Sequence, residues 1–338
     1  MGGFETIARA VLLGVAGMAT LAATPGVAQG QSAGRAIEIE TPGPLGPLRG
    51  TLLVPPGRPQ YPVILMLPGS GPTDRDGDNG GVVKGAVYRQ LAEGLALRGI
   101  ATVRIDKRGL FGSTGAVADP NAVTIGDYAD DTAQWVKTIR RQTGAKCIWL
   151  MGHSEGGLIA LKAAQVPPKQ SGICGVVLVS APGRRLSDVI REQLKANPAN
   201  APVLPQAMAA LESLDAGKAV DVSGIHPGLR ALFNPAVQPY LIDLFSYDPA
   251  VLAGRYAGPV LIVQGARDIQ VSTADARRLS AAQPKAVLAI IPDVNHVFKT
   301  VASDDRAANI ATYGNAALPI DARVTGAIAD FVITKAAR

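Results

Sequence analysis

Apolar runs alternate with segments whose apolar residues recur at helical spacing, and this alternation extends through most of the chain. The runs predict eight strands, and the central ones are apolar throughout, as expected where helices cover both faces of a sheet. They lie near residues 35–41, 49–55, 62–67, 100–105, 147–151, 175–180, 259–264 and 286–291. Helices are predicted between them, near residues 86–98, 126–142, 155–165, 273–282 and 319–335. This alternation predicts an α/β fold with a mostly parallel sheet.

The pattern breaks between the sixth and seventh predicted strands. Residues 182–256 contain no strand-like run, and their amphipathic stretches are interrupted by proline and asparagine, as at Asn197-Pro198 and Asn234-Pro235. We therefore predict a helical cap over residues 182–256, inserted after the sixth strand. The rest of the fold is then one core, which consists of residues 29–181 and 257–338.

Residues 1–28 have the composition of a signal peptide. Arg9 precedes an apolar stretch of small residues, and Pro25-Gly26-Val27-Ala28 is similar to a signal-peptidase site. The stretch is shorter than the roughly 20 residues that span a bilayer. We expect cleavage after Ala28, export to the periplasm or the medium, and no stable membrane insertion afterwards, with an uncleaved anchor as the alternative.

Composition narrows the class of protein. Of the 338 residues, 47% are hydrophobic and only 18% are charged, which favours a large buried core and argues against a disordered chain. The formal net charge is +6, but Lys and Arg are scattered among acidic residues, and only 4% of the residues are aromatic. A nucleic-acid surface needs clustered basic residues, so we predict no nucleic-acid partner.

The chain has two cysteines, Cys147 and Cys174, and each begins an apolar run on one side of a predicted helix. If those two strands pair in parallel, both cysteines lie near the same edge of the sheet, where a disulfide is geometrically possible. Export would permit the bond. Two buried free thiols fit the sequence equally well.

A nucleophile elbow is predicted at Gly152-His153-Ser154-Glu155-Gly156, which spells G-x-S-x-G at the end of an apolar run. A serine on a sharp turn from strand to helix is strained, and Gly152 and Gly156 remove side chains that would collide with neighbouring backbone. The small aliphatic residues that follow predict a helix. Ser154 is therefore expected at the carboxyl edge of the sheet, beside the free N–H groups of a helix amino end.

A serine hydroxyl needs a base to take its proton, and the chain contains three histidines. His153 is beside the serine but is expected to point away from it, and His226 lies in the insertion. His296 follows the eighth strand, in a loop at the same edge of the sheet as the elbow. We therefore predict that His296 is the base.

The base needs a carboxylate to fix its tautomer, and Asp268 in the loop after the seventh strand is the predicted one. The order Ser154, Asp268, His296 is the nucleophile, acid, base order of one of the three known serine-hydrolase arrangements. Asp293 is the rival carboxylate, but it is too close in sequence to His296 to reach behind the ring easily.

An oxyanion hole requires two backbone N–H donors, one of which belongs to the residue after the nucleophile, here Glu155. The second is expected from the loop Pro68-Gly69-Ser70-Gly71-Pro72, with Ser70 as the predicted donor and Gly71 as the alternative. A phosphate-binding loop would also be rich in glycine, but the lysine and Ser/Thr of that motif are missing here.

These motifs resemble the α/β-hydrolase superfamily, in particular its bacterial esterase and serine-aminopeptidase-like group, over nearly all of the chain after the signal segment. Residues 68–77 resemble the oxyanion loop of one exported esterase-like subgroup, and residues 106–109 resemble its D-x-R-G turn. Residues 108–113 depart from the R-G-x-G-x-S pattern of many relatives, so the path of that loop stays open. The resemblance implies an α/β-hydrolase fold.

We therefore predict a serine hydrolase that cleaves carboxylic esters with small to medium acyl groups through an acyl-enzyme on Ser154, without a cofactor or a metal. The resemblance also permits a serine aminopeptidase or peptidase, and a lyase or a perhydrolase can carry the same triad. A binding module without turnover is the alternative from another class, although such modules commonly lose a triad member and none is lost here. The elbow serine excludes α/β-hydrolases that use aspartate or cysteine.

Charged residues on the predicted active edge allow two interpretations. They are Asp74, Arg75, Asp76 and Arg108. They could recognise a polar substrate, or they could brace the loops by pairing with other charges. Bracing is the more common role of charged loop residues, so we favour it.

Overall fold

The computed structural model describes residues 33–57, 59–81 and 83–337, so the predicted signal peptide lies outside the described residues. One sheet contains all eight predicted strands, at nearly the predicted positions. They are β1 (Arg35–Pro42), β2 (Pro47–Val54), β3 (Val63–Leu67), β4 (Ala101–Ile105), β5 (Ile148–His153), β6 (Ile173–Val179), β7 (Val260–Gly265) and β8 (Val287–Ile291). The order across the sheet is β1-β2-β4-β3-β5-β6-β7-β8. Only the β1–β2 and β2–β4 pairs are antiparallel, so the predicted mostly parallel sheet is confirmed.

Helices connect the strands and cover both faces of the sheet. They are α1 (Val87–Leu97), α2 (Ile125–Thr143), α3 (Glu155–Ala163), α4 (Pro168–Ser171), α5 (Leu186–Ala196), α6 (Leu204–Asp215), α7 (Gln238–Phe245), α8 (Pro249–Arg255), α9 (Thr273–Ala282), α10 (Arg306–Ala311) and α11 (Ala322–Ala336). All five helices predicted between the strands are present. A capping box between Thr124 and Asp127 begins α2, and Gly144 in the left-handed region ends it.

The core has one apolar layer on each face of the sheet. On one face Trp135 of α2 is fully buried and packs in a layer that continues into the helices between β6 and β7. On the other face α1 and α11 pack on the sheet, and the rings of Trp149 and Phe331 meet edge to face with their centroids 5.6 Å apart. The burial of these two apolar layers supplies the main driving force for folding.

Residues between β6 and β7 form helices α5 to α8, and no strand occurs in this segment. Asparagine side chains cap two of its turns: Asn197 accepts a hydrogen bond from the Ala199 N–H, and Asn234 accepts one from the Ala236 N–H. The segment is therefore helical, as its amphipathic stretches indicate. The division of the chain into a core and a separate cap stays a prediction.

A disulfide joins Cys147, just before β5, to Cys174 in β6, with the two Cα atoms 5.1 Å apart. It joins two neighbouring parallel strands near their amino ends. The sequence left a disulfide and two free thiols open, and the structure has the disulfide. Within the described ranges, no helix has the length and apolar character needed to cross a membrane.

Candidate active site

The predicted elbow is formed where β5 ends and α3 begins. Ser154 has φ 53° and ψ −123°, a conformation that residues with a side chain rarely adopt. A Cβ on Gly152 would lie 2.1 Å from the Gly156 carbonyl oxygen, and one on Gly156 would lie 2.2 Å from the Leu67 carbonyl oxygen. Glycine is therefore required at both positions, because any side chain would collide with neighbouring backbone, as predicted from the sequence.

Asp268 and His296 are paired at the same edge of the sheet. The His296 Nδ1 lies 2.8 Å from the Asp268 Oδ2. The buried carboxylate also accepts hydrogen bonds from the N–H groups of Gln270 and Val271 and from the Gln264 side chain. Burial raises the pKa of Asp268, but the His296 charge and the hydrogen bonds from His296, Val271 and Gln270 outweigh it and lower that pKa overall. An ionised Asp268 holds the proton of His296 on Nδ1, which leaves Nε2 free to act as a base.

The rival residues lie elsewhere. Asp293 pairs with Arg267 at 3.2 Å, and among the described residues no hydrogen bond joins it to His296. His226 is exposed, and its Nδ1 accepts a hydrogen bond from the Gly228 N–H. Asp268 and His296 are thus the acid and the histidine that the fold brings together.

His153 has a role that the sequence did not reveal. Its Nε2 lies 3.0 Å from the His296 carbonyl oxygen, and its Nδ1 lies 2.7 Å from the Tyr88 hydroxyl. Burial first, and then the charge of His296, lower the pKa of His153 to about 3, so the ring is neutral. Its Nε2–H therefore donates to the carbonyl, and Nδ1 accepts from Tyr88. His153 anchors the backbone of the predicted base.

Ser154 and His296 line one cavity of about 140 Å³. No hydrogen bond joins the Ser154 hydroxyl to the His296 ring in the described part of the chain, and such contacts commonly tighten only when a substrate is bound. The segment between β6 and β7 contributes an aliphatic wall, made of Leu186, Val189, Ile190, Leu232, Leu241 and Leu244. Polar side chains of Thr73, Asn79, Gln193 and Gln270 also line the cavity.

Both predicted oxyanion donors border this cavity. Ser70 and Glu155 line it, whereas the alternative donor Gly71 does not. Within the described residues, neither the Ser70 nor the Glu155 backbone N–H has a hydrogen-bond acceptor. Two free N–H groups beside a strained serine are what an oxyanion hole requires.

Arg75 and Arg108 brace loops. The Arg75 guanidinium binds Asp106 through Nε at 3.0 Å and Nη2 at 2.8 Å, and its Nη1 binds Glu38 at 2.7 Å. Arg108 binds Asp131 through Nε at 2.7 Å and Nη2 at 2.6 Å. Forked contacts of this kind fix loop geometry.

Asp74 and Asp76 are also held by the protein itself. One oxygen of Asp74 accepts hydrogen bonds from three successive backbone N–H groups, at residues 76, 77 and 78. Asp76 pairs with Arg104. Neither acid lines the cavity, and the same is true of Arg75 and Arg108. The geometry supports bracing rather than recognition of a polar substrate.

The chain is similar to known hydrolases. The family model described as serine aminopeptidase, S33, matches residues 79–219. Esterase EstD of Thermotoga maritima is 29% identical over 255 residues, which cover 74% of this chain and 58% of that protein. The chain thus spans less than two thirds of the length of this relative.

Solved structures share the fold. Est1E from Butyrivibrio proteoclasticus superposes with a TM-score of 0.56 at 17% identity, over 89% of this chain and 99% of that one. A puromycin-hydrolyzing peptidase of Mycobacterium tuberculosis gives a TM-score of 0.55 at 16% identity, over 93% of this chain and 41% of that one. Sequence matches and fold agree: the chain has an α/β-hydrolase fold like that of these structures, and its sequence is similar to the serine aminopeptidase S33 family model and to an esterase.

Proposed function

We propose that this protein is a serine carboxylesterase that acts on esters with small to medium acyl groups. The observation that carries the proposal is that one cavity is bordered by the strained Ser154, by His296 held on Asp268, and by the free N–H groups of Ser70 and Glu155. These are the parts that acyl transfer to a serine needs.

The reaction has two steps. The Ser154 oxygen attacks the ester carbonyl while its proton passes to His296 Nε2, and the resulting oxyanion accepts hydrogen bonds from the Ser70 and Glu155 N–H groups. When the intermediate collapses, the proton passes from His296 to the departing alkoxide, and the acyl group stays on Ser154. Water then attacks this acyl-enzyme in the same way, which releases the acid and restores the serine. Asp268 stabilises the imidazolium in both steps.

The lining of the cavity favours esters over peptides. An aminopeptidase needs a carboxylate that is available to bind the charged amino terminus of its substrate. Of the described residues, Glu155 is the one carboxylate that lines the cavity, and its Oε1 pairs with Lys107 Nζ at 3.4 Å. Six of the side chains that line the cavity from the segment between β6 and β7 are aliphatic, which suits an acyl chain. The relative named an esterase agrees with this choice.

Turnover of p-nitrophenyl esters tests the proposal. We expect the wild-type enzyme to hydrolyse acetate, butyrate and hexanoate esters, and we expect Ser154→Ala to lower kcat by about 10⁶-fold with the fold intact by circular dichroism. An amino-acid anilide is run beside them. Faster release from the anilide than from every ester would support the peptidase alternative. Absence of fluorophosphonate labelling at Ser154 would support a non-catalytic module.

We also propose that the protein is exported. The predicted signal peptide motivates this proposal, and the disulfide between Cys147 and Cys174 suits an oxidising compartment. Mass spectrometry of the protein isolated from its host tests it. The expected mature chain begins at Gln29 and is recovered outside the cytoplasm, whereas an uncleaved chain in the cytoplasm would contradict export.

A further inference from the structure

A buried cation lies directly behind the oxyanion loop and has no part in the mechanism above. Lys107 follows β4, and its side chain is almost fully buried. Its Nζ donates a hydrogen bond to the Gly69 carbonyl oxygen at 2.8 Å and lies 3.4 Å from the Glu155 Oε1. The ring of Tyr128 lies beneath the ammonium, with its centroid 5.3 Å away. A buried ammonium is costly unless it is paired in this way.

The bond from Lys107 fixes the direction of one oxyanion donor. The Gly69 carbonyl and the Ser70 N–H belong to the same peptide group, and in a trans peptide these two groups point in opposite directions. A carbonyl held toward Lys107, away from the cavity, therefore turns the Ser70 N–H toward the cavity. The preceding N–H, that of Gly69, is held by the Tyr88 hydroxyl at 3.1 Å. The loop is fixed on both sides of Gly69.

The partner of Lys107 is the residue that supplies the other donor. Glu155 offers its backbone N–H at the start of α3, while its buried carboxylate turns to Lys107. The hydroxyl of Tyr240, on helix α7 of the insertion, also hydrogen-bonds to this carboxylate. The same ion pair therefore connects the elbow, the oxyanion loop and the insertion.

We propose that Lys107 and Glu155 are positioning residues that set the distance and angle between the two oxyanion donors. This inference rests on the proposed function. Neither charge touches the reacting atoms: the ammonium acts through the Gly69 carbonyl, and the carboxylate holds the ammonium in place. A displacement of the Ser70 N–H weakens a contact that strengthens in the transition state, so kcat depends on the pair more than KM does.

The test compares Lys107→Met with the double variant that also carries Glu155→Gln. Loss of a whole oxyanion donor costs roughly 10²–10³-fold in kcat, so a misdirected donor is expected to cost about 10- to 100-fold, with KM nearly unchanged. Lys107→Met alone leaves a buried carboxylate without a countercharge and should lower Tm. The double variant removes that charge and should recover Tm without recovering kcat.

An aryl trifluoromethyl ketone supplies a second measurement. It forms a tetrahedral adduct on the nucleophile whose oxyanion needs the two donors, so its inhibition constant should rise by the same factor as kcat falls. Arg108→Met is the matched control, because Arg108 is a buried cation of the same loop that pairs with Asp131 and makes no contact with Gly69. It should lower Tm and leave kcat and inhibitor affinity unchanged.

Recovery of kcat together with Tm in the double variant would show that the pair is only structural and would overturn the proposal. An equal loss of kcat in Arg108→Met would overturn it too, because the effect would then belong to the whole loop. If the wild-type enzyme hydrolyses no ester, the proposed function fails, and the positioning role fails with it.

Discussion

His153 should make the stability of this protein sensitive to acid. The neutral ring is buried between Tyr88 and the backbone of His296, and burial and the His296 charge lower its pKa from 6.5 to about 3. Below pH 6.5 the unfolded chain therefore binds a proton at this residue that the folded chain does not. The free energy of unfolding then falls with decreasing pH by about 1.4 kcal/mol per unit. Stability from this group is fully present above pH 6.5 and is lost as the pH falls toward 3.

The perturbation is His153→Gln, which can still donate to the His296 carbonyl but cannot titrate. Between neutral pH and pH 5 the wild-type protein should lose about 2 kcal/mol that the variant keeps, since the total loss at pH 5 is about 1.5 pH units at about 1.4 kcal/mol each. Urea unfolding of both proteins from neutral to acid pH measures the difference between their free energies of unfolding. The titration of the carboxylates that both proteins share cancels in this difference.

His226→Gln is the control, because this histidine is exposed and lies outside the site. It should follow the pH dependence of the wild-type protein. If His153→Gln also follows the wild-type curve down to acid pH, the argument that His153 is buried in its neutral form is wrong.

Three further changes have expected outcomes. Asp268→Asn should lower kcat by about 10⁴-fold through the wrong tautomer of His296, whereas Asp293→Asn should change it little; equal losses would contradict the assigned acid. Replacing Cys147 and Cys174 by serine should cost about 2–4 kcal/mol in urea unfolding and leave kcat unchanged, and an unchanged midpoint would contradict a stabilising disulfide. Leu241→Phe should narrow the cavity at its aliphatic wall and shift the ester preference, measured as kcat/KM, from hexanoate toward acetate. An unshifted preference would place the acyl group elsewhere.

The core of the fold was predictable because its signals are local. The central strands are uninterrupted apolar runs, and helices such as α2 have an apolar face and recognisable ends. Helix α10 was missed, since its six residues, Arg306–Ala311, are too few for a periodic pattern. The departure from the R-G-x-G-x-S pattern over residues 108–113 predicts no path for that loop, which includes the start of a short 3-10 helix over Phe111–Ala116.

The candidate site was predictable only in part. Ser154 lies in a recognisable pentapeptide, and the choice of His296 followed from the scarcity of histidines and its place after β8. The supporting contacts have no such signal, because they join residues far apart in sequence. Lys107 reaches Gly69 across 38 positions, and His153 reaches the His296 carbonyl across 143. The available signals for these contacts were two charged residues in segments with a buried character: Lys107 in a loop and Glu155 at the start of a helix.

The central claim is that Ser154 forms an acyl-enzyme with the help of Asp268 and His296. The most direct measurement is peptide mapping by mass spectrometry after the enzyme is mixed with p-nitrophenyl butyrate and quenched with acid. We predict a butyryl group on Ser154 of the wild-type enzyme and no butyryl group at this position in Ser154→Ala. A butyryl group on a different residue, or undiminished ester turnover by Ser154→Ala, would contradict it.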